Sequence, residues 1–354
     1  MAIAILFAAT WINACRFVAA AYCIPRSEEP VRLAAPMLTP SAKIYVAGHK
    51  GLAGSALVRA LASRGHLNIV QRTHAELDLT DARAVASVFA EEKPDVVFLA
   101  AAKVGGILAN QTYPADFIQD NLTIQTNVIH EAWRSGVRQL IFLGSSCIYP
   151  RDSPQPIRES YLLSGRLEPT NRPYAIAKIA GVEMCWAYNR QHGTQYICVM
   201  PTNLYGPGDN YDLASCHVLP ALIRRFHDAK VRGDKTVTLW GTGAAQREFL
   251  YSDDMAAACV QLMLLPPERL QSLIDDDEPP LVNIGCGQDL TIRDLAGLVR
   301  RVVGADVSIE WDSSKPDGTP RKLLDISKLS AMGWRPTISL EQGIALAYAD
   351  YLRR

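Results

Sequence analysis

Three side chains that can take part in proton transfer follow one apolar segment of the chain. Residues 140–143 have the composition of a buried strand, and Ser145, Ser146 and Cys147 come directly after it. In an open parallel sheet, ligands bind at the carboxyl ends of the strands. A hydroxyl can hydrogen-bond a carbonyl oxygen, and a thiolate can act as a base. The pattern predicts a reactive site at this strand end, provided that such a sheet forms.

Tyr174 and Lys178 form a second pair with chemical potential, near the start of a helical pattern that runs to about His192. Residues four apart lie on one face of a helix. A lysine cation near a phenol stabilises the phenolate and lowers the pKa of the tyrosine. Such a tyrosine can exchange a proton with a carbonyl oxygen near neutral pH. The motif also arises by chance, so it becomes specific only beside Ser145 and a nucleotide-binding turn.

The nucleotide-binding turn is predicted at residues 48–54, between a short apolar strand at 44–47 and a helical pattern that ends at Arg64 and Gly65. Its glycines follow the pattern G-x-x-G-x-x-G, which lets backbone N–H groups approach a pyrophosphate at the start of a helix. We therefore predict dinucleotide binding. The residues of this turn are Gly48, His49, Lys50, Gly51, Leu52, Ala53 and Gly54.

The end of the next predicted strand, 67–70, bears on the choice between NAD and NADP. Folds that bind NAD usually place an acidic residue here, which holds the ribose 2′-hydroxyl. This chain has Arg72 instead, and no carboxylate occurs before Glu76. An arginine can accept a 2′-phosphate, so NADP(H) is the favoured cofactor, with Lys50 as a second cation for phosphate. The alternative is that Arg72 is a solvated surface residue.

Strands alternate with helices through the first half of the chain. A helix capped by residues 78–81 ends at Glu92, a strand covers 95–102, and a long helix covers about 114–136. This alternation predicts an α/β fold, a Rossmann-type doubly wound parallel sheet. We assign residues 41–202, with returning segments, to an NADP-binding domain, and residues 203–354 mainly to a smaller C-terminal substrate-binding α/β domain.

In the second half we expect shorter elements. They are a turn at 203–207, a helix at 219–228, a strand at 237–240, a helix capped by residues 251–254 and an acidic surface loop at 266–280.

The composition limits the classes of function. Apolar residues make up 49% and charged residues 20% of 354 residues, which is ordinary for a globular protein. The formal net charge of zero gives no indication of nucleic acid or an acidic membrane as partner. The 8 cysteines include no C-x-x-C pair, which argues against a zinc site and against a disulfide framework. We therefore expect no metal, reduced thiols and a cytoplasmic location.

Residues 1–40 differ from the rest, and residues 1–24 are mostly apolar and rich in alanine. A signal peptide would need basic residues before the apolar core, and none precedes Arg16. A membrane anchor would need about 20 uninterrupted apolar residues, which Asn13 and Arg16 prevent. The third interpretation is an extension outside the fold, with Met37 as an internal start.

Several segments together resemble the extended short-chain dehydrogenase/reductase family, whose members act mostly on nucleotide sugars. The similarity extends over about residues 41–352, and it points to the branch that acts on GDP-linked 4-keto-6-deoxy sugars. Dehydratases of the superfamily carry Thr-Asp-Glu where this chain has Ser145, Ser146 and Cys147, so the acid pair used for dehydration is absent. The segments that carry the resemblance are 101–107, 144–150, 169–171, 174–178, 201–207, 247–250 and 315–322.

The resemblance implies epimerisation at C3 and C5 of GDP-4-keto-6-deoxy-mannose, followed by reduction at C4 by NADPH. A ketone at C4 acidifies the hydrogens on both neighbouring carbons. By resemblance, Cys147 is the base and His217 the acid, while Ser145, Tyr174 and Lys178 serve the ketone oxygen. By position alone, Cys147 would be a buried packing residue and His217 a helix-entry residue.

The remaining site residues are also implied by the resemblance, as is a homodimer. Further cofactor-binding residues are Leu143, Gly144, Ser145, Ser146, Lys178, Pro201, Thr202, Asn203, Leu204 and His217. Residues for the GDP-sugar are Arg225, Trp240, Arg247 and Asp317. Two other functions stay open, a simpler NADP-dependent nucleotide-sugar epimerase or reductase, and a regulatory protein that binds NADP on the same fold.

Overall fold

The apolar runs of the first half become the strands of a sheet in a computed structural model, which describes residues 38–274, 277–315 and 317–354. The strands are β1 (Ile44–Ala47), β2 (Ile69–Val70), β3 (Val96–Leu99), β4 (Gln139–Leu143), β5 (Gln195–Pro201), β6 (Asn203–Tyr205), β7 (Thr236–Trp240), β8 (Gln246–Tyr251), β9 (Leu281–Ile284), β10 (Asp289–Thr291), β11 (Ser308–Asp312) and β12 (Arg321–Lys322). The helices are α1 (Leu52–Ser63), α2 (Ala82–Glu92), α3 (Ile107–Thr112), α4 (Pro114–Arg134), α5 (Arg172–His192), α6 (Val218–Arg232), α7 (Ser252–Met263), α8 (Pro267–Gln271), α9 (Ile292–Val303), α10 (Ser327–Ala331) and α11 (Leu340–Tyr351).

The main sheet has six parallel strands in the order β2-β1-β3-β4-β5-β9. The chain moves outward from β1 to β2 and then returns to the other side of β1 with β3. Ligands bind at the carboxyl ends of the strands beside such a reversal. The predicted Rossmann-type parallel sheet is confirmed, and the glycine turn follows β1 at this reversal.

Helices cover both faces of this sheet, so the strands are buried on both sides. In β1, Ile44 packs in one apolar cluster with Leu57 of α1 and Met255 of α7. Its neighbour Tyr45 packs in a second cluster with Phe89 of α2. Burial on both faces explains why the strands read as continuous apolar runs rather than alternating ones.

Local signals determine where several helices begin and end. The carboxylate of Asp81 accepts hydrogen bonds from the backbone N–H groups of Arg83 at 2.9 Å and Ala84 at 3.1 Å, which caps α2 as predicted. Such a cap stabilises a helix by about 1 kcal/mol. Helix α5 ends at Gly193, whose φ of +65° suits a residue without a side chain.

Strand β8 is the centre of a second, smaller sheet. It pairs antiparallel with β10 and parallel with β12 and β6. Helices α6, α9 and α11 enclose a third apolar cluster that includes Phe226, Val299 and Ile344. Strand β9, late in the chain, returns to the six-stranded sheet. The assignment of 203–354 as mainly a substrate-binding domain stays a prediction.

Three predictions of local structure were wrong. Residues 203–205 form β6 rather than a turn, because β8 offers them a parallel partner. The segment 266–280 contains α8, and its Leu270 and Leu273 are buried. The cap position before α7 is Tyr251, with no side-chain hydrogen bond, while Asp254 accepts hydrogen bonds from the backbone of Thr337 and Ile338.

The N-terminal prediction concerns residues that are mostly outside the described part of the chain. Residues 1–37, including the proposed start at Met37, are not among the described residues, nor are Asp275 and Asp276 of the acidic segment. Leu38 is only 2% exposed and packs in the core, so the fold begins earlier than the predicted boundary at 41. No helix among the described residues is long and apolar enough to cross a membrane.

Candidate active site

The glycine turn after β1 has the shape that a dinucleotide requires. A Cβ on Gly48 would lie 2.7 Å from the backbone nitrogen of Ala101, and one on Gly54 would lie 2.1 Å from the carbonyl oxygen of Gly48. Protein packing therefore requires glycine at both positions. A Cβ on Gly51 would meet only one atom, at 3.5 Å, so this glycine leaves room for an approaching group instead.

Several hydrogen-bonding groups at this turn also have no side-chain partner within the protein. Gly51 occupies the cap position of α1 and provides no side-chain cap for the first N–H groups of the helix. The Nδ1 atom of His49 is buried without a hydrogen-bond partner. Unpaired N–H groups at a helix start bind phosphate well. The residues of the turn therefore fit the pyrophosphate of a dinucleotide.

The two cations predicted for phosphate differ in their surroundings. Lys50 is exposed at the turn. The Arg72 guanidinium forms an ion pair with Glu92 of α2 and donates a hydrogen bond to the carbonyl oxygen of Gln71 at 3.1 Å. A 2′-phosphate would have to compete with Glu92 for the charge of Arg72. Binding of the 2′-phosphate by Arg72 therefore stays a prediction.

The first group of candidate catalytic residues, which we call the tyrosine cluster, consists of Ser145, Tyr174 and Lys178. Ser145 follows β4, and its hydroxyl accepts a hydrogen bond from the backbone N–H of Cys147 at 3.2 Å. Tyr174 lies in the first turn of α5 and forms a side-chain hydrogen bond with Ser145. The structure thus brings β4 and α5 together at the carboxyl edge of the sheet.

Burial dominates the electrostatics of the tyrosine cluster. It raises the pKa of Tyr174 far above 10, and the nearby Cys147 adds to this effect. The expectation that the pKa of Tyr174 is lowered was therefore wrong, because desolvation of the phenolate raises it instead. At neutral pH Tyr174 is a neutral phenol, which can donate a proton.

Lys178 is itself almost fully buried, with 3% of its surface exposed. Its ammonium donates a hydrogen bond to the carbonyl oxygen of Leu143 at 2.8 Å. It lies 4.7 Å from the ring centroid of Phe142 and 5.9 Å from that of Tyr174, within the range of cation–π attraction. Burial lowers the pKa of Lys178 to about 8.

The second group, which we call the cysteine cluster, consists of Cys147, Asn171 and Lys322. The sulfur of Cys147 accepts a hydrogen bond from the Nδ2 atom of Asn171 at 3.1 Å. The ammonium of Lys322 lies 3.8 Å from the same sulfur. Sequence analysis assigned no role to Asn171 or Lys322, although both lie in segments that carried the family resemblance. That resemblance was the signal by which they could have been found.

Among the described residues, no hydrogen bond joins His217 to the cysteine cluster. It is the cap residue of α6, and its side chain is exposed. The surrounding protein still displaces enough water to lower the pKa of its imidazole below 6.5. Its loop is held near the site, since the N–H of Gly106 donates to the carbonyl oxygen of Ser215 at 3.2 Å.

The other predicted cofactor residues lie at the carboxyl ends of β4 and β5. Leu143 ends β4, Gly144 donates a backbone hydrogen bond to the carbonyl oxygen of Val199 at 2.9 Å, and Ser146 is buried. After β5, Thr202 and Asn203 donate side-chain hydrogen bonds to the carbonyl oxygen of Glu248, at 3.1 and 2.8 Å. Pro201 is the last residue of β5 and Leu204 lies in β6.

Three of the predicted substrate residues form a group around the start of β8. Trp240 is 65% exposed. Arg247 is partly buried, which lowers its pKa, and the charge of Asp317 opposes this effect. The carboxylate of Asp317 accepts hydrogen bonds from the backbone N–H and the hydroxyl of Thr242, both at 2.7 Å. Asp317 therefore organises a turn, and its contact with a sugar stays a prediction.

The pairing of β8 with β12 brings this group close to the cysteine cluster. Arg247 on β8 is the direct partner of Lys322 on β12. Paired residues of parallel strands lie about 4.8 Å apart and point to the same face. Arg225 lies apart from them on α6, near Cys216. Among the described residues, no group of histidine, cysteine or acidic side chains could hold a metal ion.

Comparison with known proteins agrees with this geometry. The sequence profile of the NAD dependent epimerase/dehydratase family matches residues 44–275. GDP-L-fucose synthase 1 of Arabidopsis thaliana is 58% identical to this chain over 317 residues, which are 90% of this chain and 95% of that protein. GDP-L-fucose synthase of Escherichia coli (strain K12) is 53% identical and covers 88% of this chain and 96% of its own length.

A solved structure of similar fold carries the cofactor predicted from the sequence. The GDP-mannoheptose C4 reductase MlghC from Campylobacter jejuni, with NADP bound, superposes with a TM-score of 0.81 at 40% sequence identity. The match covers 89% of this chain and 99% of that one. The fold and the sequence thus lead to the same group of proteins.

Proposed function

Because this chain belongs to the NAD dependent epimerase/dehydratase family, and within it to the GDP-L-fucose synthases, we propose that it makes GDP-L-fucose. It is an NADP(H)-dependent enzyme that takes GDP-4-keto-6-deoxy-D-mannose as substrate. It inverts C3 and C5 and then reduces the ketone at C4.

One observation carries this proposal. The thiol of Cys147 lies beside Ser145 and Tyr174, two residues beyond the serine on the same strand end. A reductase needs only groups that serve the ketone oxygen. An epimerase also needs a base that reaches the carbon next to the ketone. The two clusters together provide both kinds of group at one edge of the sheet.

The glycine turn, the carboxyl ends of β4 and β5, and Lys178 would hold NADPH. When bound, this cofactor supplies the hydride for reduction of the C4 ketone. The chain's own residues then handle charge and protons. Tyr174 is a neutral phenol and can donate a proton to the C4 oxygen, while Ser145 donates a second hydrogen bond to that oxygen.

The same oxygen carries negative charge during epimerisation. Removal of the proton on C3 or C5 forms an enolate, whose charge lies on the C4 oxygen. Ser145 and Tyr174 therefore stabilise the charged oxygen in both reactions. Cys147 removes the proton from one face of the carbon and His217 returns a proton to the other face. The lowered pKa of His217 means that it must take up its proton before it can act as this acid.

The substrate is a GDP-sugar, a small molecule. Arg225 and Arg247 suit its diphosphate, because guanidinium groups bind phosphate with two hydrogen bonds. Trp240 offers an exposed ring. Beyond this, we infer a homodimer and a cytoplasmic location from the family resemblance and from the cysteine pattern.

A second candidate is reduction at C4 without epimerisation. The similarity to a GDP-mannoheptose C4 reductase, at 40% identity, favours it as the alternative. The product distinguishes the two functions, since a plain reductase would leave C3 and C5 unchanged.

The purified protein should be incubated with GDP-4-keto-6-deoxy-D-mannose and NADPH, with NADPH absorbance followed over time and the product identified by NMR. We expect NADPH to be consumed and GDP-L-fucose to form. Product with unchanged C3 and C5 would establish the plain reductase. The absence of NADPH oxidation would contradict both functions.

A further inference from the structure

The sulfur of Cys147 faces a cavity that two parts of the chain enclose. Its lining comes from the segment after β4, from the turn before α5 and from the residues around β12. The lining residues are Cys147, Tyr149, Pro150, Arg151, Ile157, Glu168, Asn171, Thr319, Arg321 and Lys322. The cavity therefore borders Cys147 and brings residues from distant parts of the chain together around it.

The charged groups around this cavity are mostly paired with each other. The guanidinium of Arg151 lies 3.5 Å from the carboxylate of Glu168. Glu168 also accepts hydrogen bonds from the backbone N–H and the hydroxyl of Thr170, at 3.3 and 3.1 Å. Arg321 forms an ion pair with Asp289. Both arginines and the carboxylate therefore have partners other than the sulfur.

Lys322 is the exception among the charged residues of this cavity. Its ammonium lies 3.8 Å from the sulfur of Cys147, and none of the described carboxylates forms an ion pair with it. Asn171 directs a second N–H donor at the same atom. Tyr149 and Tyr174 are the other ionisable neighbours, and burial raises the pKa of both, so they are neutral at pH 7. Of these neighbours, Lys322 and Asn171 are the ones that direct N–H donors at the sulfur.

Backbone contacts of Lys322 and of the two residues after it hold this part of the chain in place. Lys322 pairs with Arg247 of β8. The next two residues are held as well, since the N–H of Leu323 donates to the side chain of Gln155 at 2.8 Å and that of Leu324 donates to the buried carboxylate of Glu248 at 3.0 Å. A lysine on such a constrained strand loses less entropy when its side chain takes up one position.

We propose that Lys322 is a positioning residue for epimerisation, which keeps Cys147 as the thiolate that removes a proton from the sugar. The inference rests on the proposed function. In that step the C–H bond next to the ketone breaks and an S–H bond forms, while the electron pair moves to the C4 oxygen. An ammonium within 4 Å favours the thiolate by charge attraction. Lys322 does not touch the reacting carbon and acts through the sulfur.

Alkylation of Cys147 by iodoacetamide tests the proposal without any substrate. The rate at the Cys147 peptide should be measured by mass spectrometry, as a function of pH, in the full chain. K322M should slow alkylation at pH 7 by at least about tenfold and move the pH profile to higher pH. K322R should restore most of the rate, because arginine keeps the charge. R321M, which removes the neighbouring charge paired with Asp289, should keep the original profile.

Exchange of solvent deuterium into GDP-4-keto-6-deoxy-D-mannose, with NADP⁺ present, gives the second readout. K322M should lower this exchange by at least about tenfold and K322R should retain it. The proposal would be overturned if K322M had the same alkylation profile as the unaltered protein. It would also be overturned if K322R still bound NADPH but did not restore the original profile. If the unaltered protein exchanges no deuterium, the proposed function fails, and the alkylation profile still decides whether Lys322 controls the thiol.

A role for Lys322 in holding the diphosphate would give a different pattern. K322M would then raise KM for the substrate and leave both the alkylation profile and the maximal exchange rate unchanged. That result would also overturn the proposal.

Discussion

The tyrosine cluster and the cysteine cluster begin two residues apart on the same strand end, yet they are built in different ways. Ser145, Tyr174 and Lys178 come from β4 and the first turns of α5, and Lys178 is buried in the core of the parallel sheet. Cys147 depends on Lys322, which lies 175 residues later and on another sheet. One cluster lies within residues 145–178, and the other is completed by the second half of the chain.

The difference in burial gives each cluster its own electrostatics. Burial keeps Tyr174 neutral and lowers the pKa of Lys178 to about 8. The sulfur of Cys147 faces a cavity and an ammonium whose charge is not paired with a described carboxylate. A neutral phenol suits proton donation to an alkoxide, whereas a thiolate suits proton removal from carbon. The comparison predicts that loss of the cysteine cluster removes epimerisation alone, whereas loss of Tyr174 impairs both half-reactions.

Tyr174→Phe should have the largest effect, because Tyr174 serves the C4 oxygen in both half-reactions. We expect NADPH oxidation and deuterium exchange each to fall by about 10²- to 10⁴-fold. Cofactor binding, measured by fluorescence titration with NADPH, should persist. If deuterium exchange kept its rate while reduction was lost, the shared role of Tyr174 would be wrong.

Cys147→Ala should affect only one half-reaction. Solvent deuterium exchange at C3 and C5 should fall by about 10²-fold or more, while NADPH still binds. Cys286→Ala is a matched control, since Cys286 is also partly exposed but its thiol donates to the carbonyl oxygen of Gln288. Normal exchange in Cys147→Ala would remove Cys147 from its proposed role as base.

The pH dependence of the free enzyme should report Lys178. Below pH 8 its amine carries a proton and supports the tyrosine cluster, and above pH 8 the ammonium is lost. The value of kcat/KM for NADPH should therefore fall by up to about tenfold for each pH unit above 8. In Lys178→Arg the arginine should stay charged at these pH values, so kcat/KM should not decline above pH 8. A flat profile up to pH 10 in the unaltered protein would contradict the assignment.

Much of the fold followed from local patterns. The apolar runs at 44–47 and 140–143 became β1 and β4 with little change, because strands that are buried on both faces need apolar residues at every position. The cap at Asp81 marked the start of α2. The strand predicted at 67–70 begins only at Ile69, and the one at 95–102 covers only Val96–Leu99.

Two of the errors share a cause, which is that the deciding partner is distant in sequence. Residues 203–205 look like the beginning of a turn, but pairing with β8 makes them a strand. Asp254 looks like a helix cap, but Thr337 and Ile338 occupy its carboxylate. No pattern in a short window contains these partners.

By itself, the sequence determined the glycine turn, the alternation of strands and helices, and the pair Tyr174 and Lys178, because each depends on residues that are neighbours along the chain. The helical repeat alone puts Tyr174 and Lys178 on one face. Only the tertiary structure decided that burial keeps Tyr174 neutral and that Lys322 faces Cys147. Both depend on the charges and desolvation that packing of distant segments brings to one place, and the pairing of β12 with β8 is the contact that carries Lys322 there.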